Sequence, residues 1–280
     1  MKRKLIIFLL LAAAGYGFYV YRDRILDLPQ IKQLTADLKE IERQVSAPGP
    51  LRASQDSPIS NLTAGGVIAW TNRARLDNGG LPALRGSTKL NAAATAKMKD
   101  MFAKQYFAHV GPDGKGPAHW VQSAGYDYIA TGENLALGNF ADDRELVTAW
   151  MNSPGHRANI LGSSFQEIGV AVGRGVFEGK ITWLAVQEFG KPISACPAVS
   201  AALKNSVETN QKTLDQMQSE LAVLRTELEN THPKRGEEYE AKISEYNQLV
   251  AEYNPLVETT KDLINQFNAE ISRFNACLAQ

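Results

Sequence analysis

The 280-residue sequence predicts an α+β domain with a helical segment on either side of it. Within the domain, apolar residues recur at helical spacing near residues 62–76 and 87–105, and two β-branched runs follow at 168–173 and 181–189. The turn-rich stretch between these two runs indicates a β-hairpin. After Pro197 the pattern changes to sustained heptads, which are typical of long packed helices.

The composition narrows the class of protein. Hydrophobic residues make up 44% of the chain, which is enough for a packed core. The 30 basic residues balance the 30 acidic ones, so the formal net charge is zero and nucleic acid is not an expected partner. The two cysteines, Cys196 and Cys277, do not form a Cys-x-x-Cys or zinc-finger motif.

Residues 1–22 combine a basic start with an apolar run. Basic residues at positions 2–4 precede the uncharged residues 5–21, a length at the short end for a membrane helix. Because basic residues favour the cytoplasmic side, we expect a single-pass anchor in the cell membrane, with the rest of the chain periplasmic or at the cell surface. The alternative is a signal peptide cleaved after Ala14. The apolar run continues to Tyr21, so we favour the uncleaved anchor.

Two further segments separate this anchor from the domain. Residues 23–45 carry apolar side chains at alternating spacings of three and four, which predicts a short amphipathic juxtamembrane helix. This helix would pair with a second copy or pack against the C-terminal helices. Residues 46–60 are rich in proline and serine and predict an extended linker.

The domain itself is predicted over residues 61–192. Its first helix ends at 77–80, where glycines favour a stop, and its second helix ends before a loop at 107–116. A short extended stretch at 132–137 and a third helix near 144–151 precede the hairpin.

Residues 193–280 predict an antiparallel helical hairpin that forms a coiled coil. Apolar residues step by three and four over 203–228 and again over 239–278. The turn signal at 232–236 separates the two runs. Pro255 lies inside the second run and is expected to kink or break that helix. The alternative is two separate helices packed on the domain.

The two cysteines flank the predicted hairpin. The arms that lead from the turn back to Cys196 and forward to Cys277 have similar lengths, so the two sulfurs would meet at the base of the hairpin. An extracytoplasmic location favours oxidation. We therefore predict a disulfide bond between Cys196 and Cys277.

Three ordered motifs in the domain point to a family. They are Phe-Ala-His-Val-Gly-Pro-Asp-Gly at 107–114, Thr-Gly-Glu-Asn-Leu-Ala at 131–136 and Ala-Trp-Met-Asn-Ser-Pro-Gly-His-Arg-Ala-Asn-Ile-Leu at 149–161. Together they resemble the bacterial branch of the CAP superfamily (SCP-like domain), which groups cysteine-rich secretory, antigen-5 and pathogenesis-related proteins. The resemblance covers roughly residues 61–192 and implies a three-layer α-β-α sandwich.

The resemblance also implies a ligand-binding cavity that is lined by two histidines and acidic residues. By motif, these residues are His109, His156 and Glu133. A second glutamate of the animal and plant proteins is replaced here by Ser153. This difference weakens any mechanism that needs two glutamates.

Three uses of this cavity are open on sequence grounds. Glu133 could orient a histidine within a polar network or ligand cavity. Two imidazoles and a carboxylate could instead hold Zn²⁺, with water as the fourth ligand. The third use is catalysis by His109, Glu133 and His156, or by Ser153 as a nucleophile with His156 and Glu133. We expect His109, Glu133 and His156 to converge within about 6 Å of a common point, in a cleft open to solvent.

These features predict a membrane-anchored, extracytoplasmic CAP-domain protein with a ligand-binding or structural role in the bacterial cell envelope. Its ligand would be a lipid or a cell-wall component, and we favour a non-enzymatic role. One alternative is a metal-dependent hydrolase that uses the His/Glu cavity. The other is a scaffold whose coiled coil contacts a protein partner or a second copy.

Overall fold

The computed structural model describes residues 39–279. The predicted anchor and most of the predicted juxtamembrane helix lie outside these residues. Among the residues described, no helix is both long and apolar enough to cross a membrane. Contacts divide the chain into two units, one with residues Glu40–Cys196 and one with residues Pro197–Cys277.

The described part of the first unit is built on a six-stranded mixed sheet. Its strands are β1 Gln44–Ser46, β2 Leu51–Arg52, β3 Arg85–Gly86, β4 Tyr128–Leu137, β5 Glu167–Phe177 and β6 Lys180–Pro192. The order is β1-β4-β6-β5-β3, and β2 also pairs with β4. The three long strands, β4, β6 and β5, are antiparallel, while the three short strands add in parallel at the two outer edges.

Helices cover both faces of this sheet. They are α1 Ala64–Asp77, α2 Thr88–Lys104, α3 Pro117–Ser123, α4 Asp143–Asn152 and α5 Pro154–Ile160. One face packs against α1, α4 and α5 through a cluster that includes Val67, Trp150 and Ile160. The other face packs against α2 and α3 through residues such as Met101 and Val121. These layers agree with the predicted α+β class and with an α-β-α sandwich.

Local sequence explains where these helices begin. The side chains of Thr63, Ser87 and Asp142 accept hydrogen bonds from backbone amides in the first turns of α1, α2 and α4. Helix α2 lies close to the sheet because β5 has Gly169 at the contact. A Cβ atom there would overlap the backbone of Leu90 and Asn91.

Residues 39–61 differ from the sequence expectation. Residues 39–43 are not helical, so the predicted juxtamembrane helix does not extend through Val45. The predicted linker, residues 46–60, instead lies along the domain and donates backbone hydrogen bonds to the carbonyls of residues 137 and 139. The physical reason is that the outer edge of β4 carries backbone groups that need partners, and an extended segment supplies them.

The second unit consists of two long helices, α6 Ala201–Asn230 and α7 Glu237–Leu278. Buried residues from both helices form a shared cluster, which includes Leu214, Leu221, Tyr246 and Tyr253. The predicted break at Pro255 is wrong because α7 continues through it. The proline removes one hydrogen bond, and packing against α6 maintains a helix of 42 residues around it. The coiled coil itself stays a prediction.

The predicted disulfide bond is confirmed. Cys196 and Cys277 are the two cysteines of the chain, and both are disulfide-bonded.

Candidate functional site

Two glutamates lie side by side in the sheet. Glu133 of β4 is opposite Glu188 of β6 in the strand register, and both residues are fully buried. Side chains alternate between the faces of a strand, so both glutamates point towards α2, as Leu135 and Val186 do.

The backbone around His109, which follows α2, is fixed by a buried lysine. The Lys97 ammonium donates hydrogen bonds to the carbonyls of Ala108 (2.7 Å) and His109 (2.8 Å) and to Oη of Tyr106 (3.1 Å). Burial lowers the pKa of Lys97, and the nearby charge of Glu133 opposes that shift. These contacts leave the His109 imidazole free to reach the edge of β4.

The His109 imidazole joins β4 to the loop between β1 and β2. Its Nδ1 lies 2.6 Å from Oε1 of Glu133, and its Nε2 donates to the carbonyl of Pro48. A carbonyl only accepts hydrogen bonds, so Nε2 carries a proton. A second proton lies between Nδ1 and Oε1, since one of these two atoms must donate to the other.

His156 reaches the same edge from α5. Pro154 occupies the first position of this short helix, which its fixed φ favours. Nδ1 of His156 lies 2.7 Å from Oγ of Ser153, while its buried Nε2 has no hydrogen-bond partner within residues 39–279. Burial, followed by the charge of His109, lowers the pKa of His156 to about 4. His156 is therefore neutral at neutral pH.

Residues 44–52, which we call the covering segment, close the site. Ser46 lies opposite Gly132 and Leu51 lies opposite Ala136, so residues 47–50 arch past Glu133. The Pro48 ring rests on α5, where a Cβ atom on Gly155 would lie 2.5 Å from the Cβ of Pro48. The expectation of a cleft open to solvent is therefore wrong, because the chain's own backbone covers it.

The burial of the two glutamates side by side favours an uncharged Glu188. Oε2 of Glu133 and both carboxyl oxygens of Glu188 receive no hydrogen bond from a protein donor in the described part of the chain. Burial, and after it the charge of Glu133, raises the pKa of Glu188 well above its usual range. Burial and the neighbouring charge of Glu133 therefore favour the protonated, neutral form of Glu188. Glu188 lies beside Glu133 in the sheet, and hydrogen bonds continue from Glu133 through His109 to the Pro48 carbonyl.

An amide network supports the site from the other face of the sheet. Nδ2 of Asn134 donates to the His156 carbonyl (3.2 Å) and to Oε1 of Gln187 (3.0 Å). Nδ2 of Asn159 donates to Oδ1 of Asn134 (2.9 Å), and Nε2 of Gln187 donates to Oγ1 of Thr71 (2.7 Å). These buried bonds fix the backbone of α5 against β4.

The predicted site residues differ in how directly they meet. His109 and Glu133 are in direct contact, and His156 is close enough for the charge of His109 to lower its pKa. Ser153 contacts His156 but has no recorded contact with Glu133, so the suggested Ser-His-Glu arrangement does not form. A histidine with a pKa of about 4 is also a weak general base at neutral pH.

The geometry does not fit the predicted zinc site. Over residues 39–279, no group of three His, Cys, Asp or Glu side chains is placed to hold a metal ion. Oε1 of Glu133 is bonded to Nδ1 of His109 instead of facing a shared ligand position.

Sequence reasoning missed Glu188 and Lys97. The signal for Glu188 was a carboxylate in an otherwise apolar strand, at Val-Gln-Glu-Phe-Gly. Its partner is visible only from the register of β4 with β6. The signal for Lys97 was weaker, because a lysine on an amphipathic helix is usually exposed.

Comparisons with known proteins agree with the motifs. The model of the CAP family, described as the cysteine-rich secretory protein family, matches residues 68–189. The uncharacterized protein YkwD of Bacillus subtilis is 42% identical over 104 residues, which are 37% of this chain and 40% of the relative. The uncharacterized membrane protein YlbC of the same organism is 31% identical over 108 residues, which are 39% of this chain and 31% of the relative. The matches thus span less than half of either relative.

The solved structures that this chain resembles also come from bacteria. An extracellular protein containing a SCP domain from Bacillus anthracis is 27% identical, with a TM-score of 0.40 over 46% of this chain and 40% of that one. An outer surface protein from Borrelia burgdorferi is 22% identical, with a TM-score of 0.38 over 45% of this chain and 90% of that one. From the family match, we conclude that residues 68–189 of this chain are a CAP domain of the kind found in the cysteine-rich secretory protein family.

Proposed function

We propose that the chain is a membrane-anchored, extracytoplasmic CAP-domain protein that binds a ligand of the bacterial cell envelope at the edge of β4. One observation carries this proposal. The hydrogen bond from Glu133 to His109 leads to a donor, Nε2 of His109, that faces the backbone carbonyl of Pro48 beside the edge of β4. A few polar groups in fixed positions give a ligand-binding site its specificity.

The burial of the three side chains assigns them different roles. His109 keeps 12% of its side chain exposed, whereas the Glu133 side chain has no exposed surface and His156 is 1% exposed. His109 is therefore the group that would contact a ligand. Glu133 holds the His109 ring through Nδ1, and Glu188 and Lys97 position these two in turn.

Three facts support a membrane-anchored, extracytoplasmic location. Residues 5–21 are uncharged and follow three basic residues, which favours an anchor with its start in the cytoplasm. The disulfide bond between Cys196 and Cys277 favours an oxidising compartment. One of the sequence relatives, YlbC, is named as a membrane protein.

Binding by matched histidine variants tests the proposal. The full chain would be held in zwitterionic lipid nanodiscs and titrated with peptidoglycan, soluble wall glycan fragments and a short-chain phospholipid. We expect wild type to bind one of these probes and His109→Ala to weaken that binding about tenfold or more, since a hydrogen bond to a charged group contributes about 1.5–3 kcal/mol.

His119→Ala is the matched control. His119 lies on α3 against Trp120 and Ser123, away from the site. Its replacement should leave binding unchanged. Equal binding of wild type and both variants to every probe would contradict the proposal and favour a scaffold that acts through α6 and α7.

A further inference from the structure

We propose that the outer edge of β4, together with His109, is a docking site for an extended peptide strand of a partner protein, and that residues 44–52 occupy this site in cis. The inference rests on the proposed function, because it names the chemical class of the ligand. The covering segment shows how such a strand would be bound.

The covering segment is held mainly by its backbone. It pairs in parallel with β4 at both ends, over residues 44–46 and 51–52. Between these ends, His109 donates to the Pro48 carbonyl, and Nδ2 of Asn159 donates to the Ser46 carbonyl at 3.4 Å. Main-chain pairing at a sheet edge is the way in which many domains bind extended peptides.

The side chains of the covering segment bury little surface. Val45 is 45% exposed, Pro48 and Leu51 are half-buried, and the other residues from 44 to 52 are exposed. Hydrophobic burial therefore holds this segment weakly, in contrast to β4, which is buried along its whole length. A segment of this kind can leave the sheet without opening the core.

The arch at residues 47–50 determines which peptide sequence fits the site. Five steps of the covering segment, from Ser46 to Leu51, span four steps of β4, from Gly132 to Ala136. Pro48 and Pro50 have no N–H group and cannot donate to the strand there, and the Pro48 carbonyl accepts a hydrogen bond from His109. The absence of a side chain at Gly155 leaves room for the Pro48 ring.

The ligand expected from this geometry is an extended peptide with a proline between two short strand segments. When the covering segment leaves, β4 presents unpaired backbone groups, which are a template for another strand. The segment in cis competes with a free peptide at an effective concentration on the order of millimolar. Weak binding to the wild-type chain and strong binding to an opened variant are therefore expected.

Two glycine variants distinguish displacement of the covering segment from a general effect of replacing a glycine with alanine. Gly155→Ala puts a Cβ atom against the rigid Pro48 ring, so the covering segment must move. Gly65→Ala in α1 is the matched control, because a Cβ atom there meets nothing within 4 Å. The probe is a fluorescein-labelled peptide, Gln-Val-Ser-Ala-Pro-Gly-Pro-Leu-Arg, and the readout is its anisotropy with the full chain in nanodiscs.

We expect Gly155→Ala to bind this peptide at least about tenfold more tightly than wild type or Gly65→Ala, and a scrambled peptide to bind weakly. Adding His109→Ala to Gly155→Ala should reverse the gain. Val45→Pro disturbs β1 without touching α5, so it should open the site as Gly155→Ala does. This second variant tests the inference if Gly155→Ala fails to fold.

Equal peptide binding by Gly155→Ala and Gly65→Ala, or equal binding of the scrambled peptide, would overturn the inference. If Gly155→Ala forms a dimer and does not bind the peptide, the inference is also overturned. The site would then hold residues 44–52 of a second copy. If the peptide binds but His109 does not affect binding to the envelope probes, only the envelope role is contradicted. If His109→Ala weakens binding to the envelope probes but the peptide does not bind, only the peptide site is contradicted.

Discussion

At the scale of single residues, the protonation of Glu188 sets the charge of the site. A neutral Glu188 avoids the repulsion that two ionised carboxylates would have in this buried position. The raised pKa of Glu188 means that the folded protein retains a proton that the unfolded chain releases. Stability is therefore lost as pH rises from the unfolded value of about 4.3 towards the folded one.

Glu188→Gln tests this assignment. The glutamine amide resembles the protonated acid and can donate to Glu133, so the variant should fold and be more stable than wild type at pH 7. The gain should shrink as pH falls towards 4. Denaturant unfolding between pH 4 and 8 would measure it, with Glu42→Gln at an exposed position as the control. A variant with the same pH dependence as wild type would show that Glu188 is ionised.

His156 gives the opposite pH dependence. Its pKa in the folded protein is about 4, below the ordinary value, so the unfolded chain binds the proton first as pH falls. The stability associated with His156 is complete above about pH 6.5 and is lost towards pH 4, by up to about 3 kcal/mol. In His156→Asn this loss should disappear, whereas His119→Asn should retain it. A loss of equal size in both variants would contradict the buried, neutral state of His156.

At the scale of elements, the packing of α2 on β5 depends on Gly169. In Gly169→Ala the new Cβ atom would overlap the backbone of Leu90 and Asn91, so the helix must move away from the sheet. We expect a loss of about 3 kcal/mol or more in the free energy of unfolding. In Gly173→Ala the new atom meets the flexible Met98 side chain, and the loss should be smaller. Equal losses would show that α2 is not fixed by this contact.

The elements that sequence could predict are those with a clear period or a motif. The amphipathic pattern of residues 87–105 predicted α2, and the three motifs predicted that His109 and Glu133 belong to one site. The covering segment could not be predicted in this way. Its strands have three and two residues, too few to show alternation, and the strand they pair with is more than 80 residues away.

At the scale of the whole molecule, the disulfide bond closes a loop that contains both long helices. A loop of about 80 residues is stabilised by roughly 4 kcal/mol in the chain-entropy model. Replacing Cys196 and Cys277 with serine should therefore shift unfolding of α6 and α7, followed by circular dichroism, to lower denaturant concentration. Wild type in reducing agent should behave like the variant. Identical midpoints for oxidised wild type and variant would contradict a stabilising bond.

Residues 44–52 form a displaceable cover over His109 and β4. Amide hydrogen exchange, resolved along the full chain, measures this displacement without a ligand. We expect residues 44–52 and 131–137 to exchange faster in Gly155→Ala than in Gly65→Ala, while β5 and β6 keep their protection, since only the edge of the sheet opens. The same exchange pattern in both variants, or faster exchange throughout the sheet in Gly155→Ala, would contradict it.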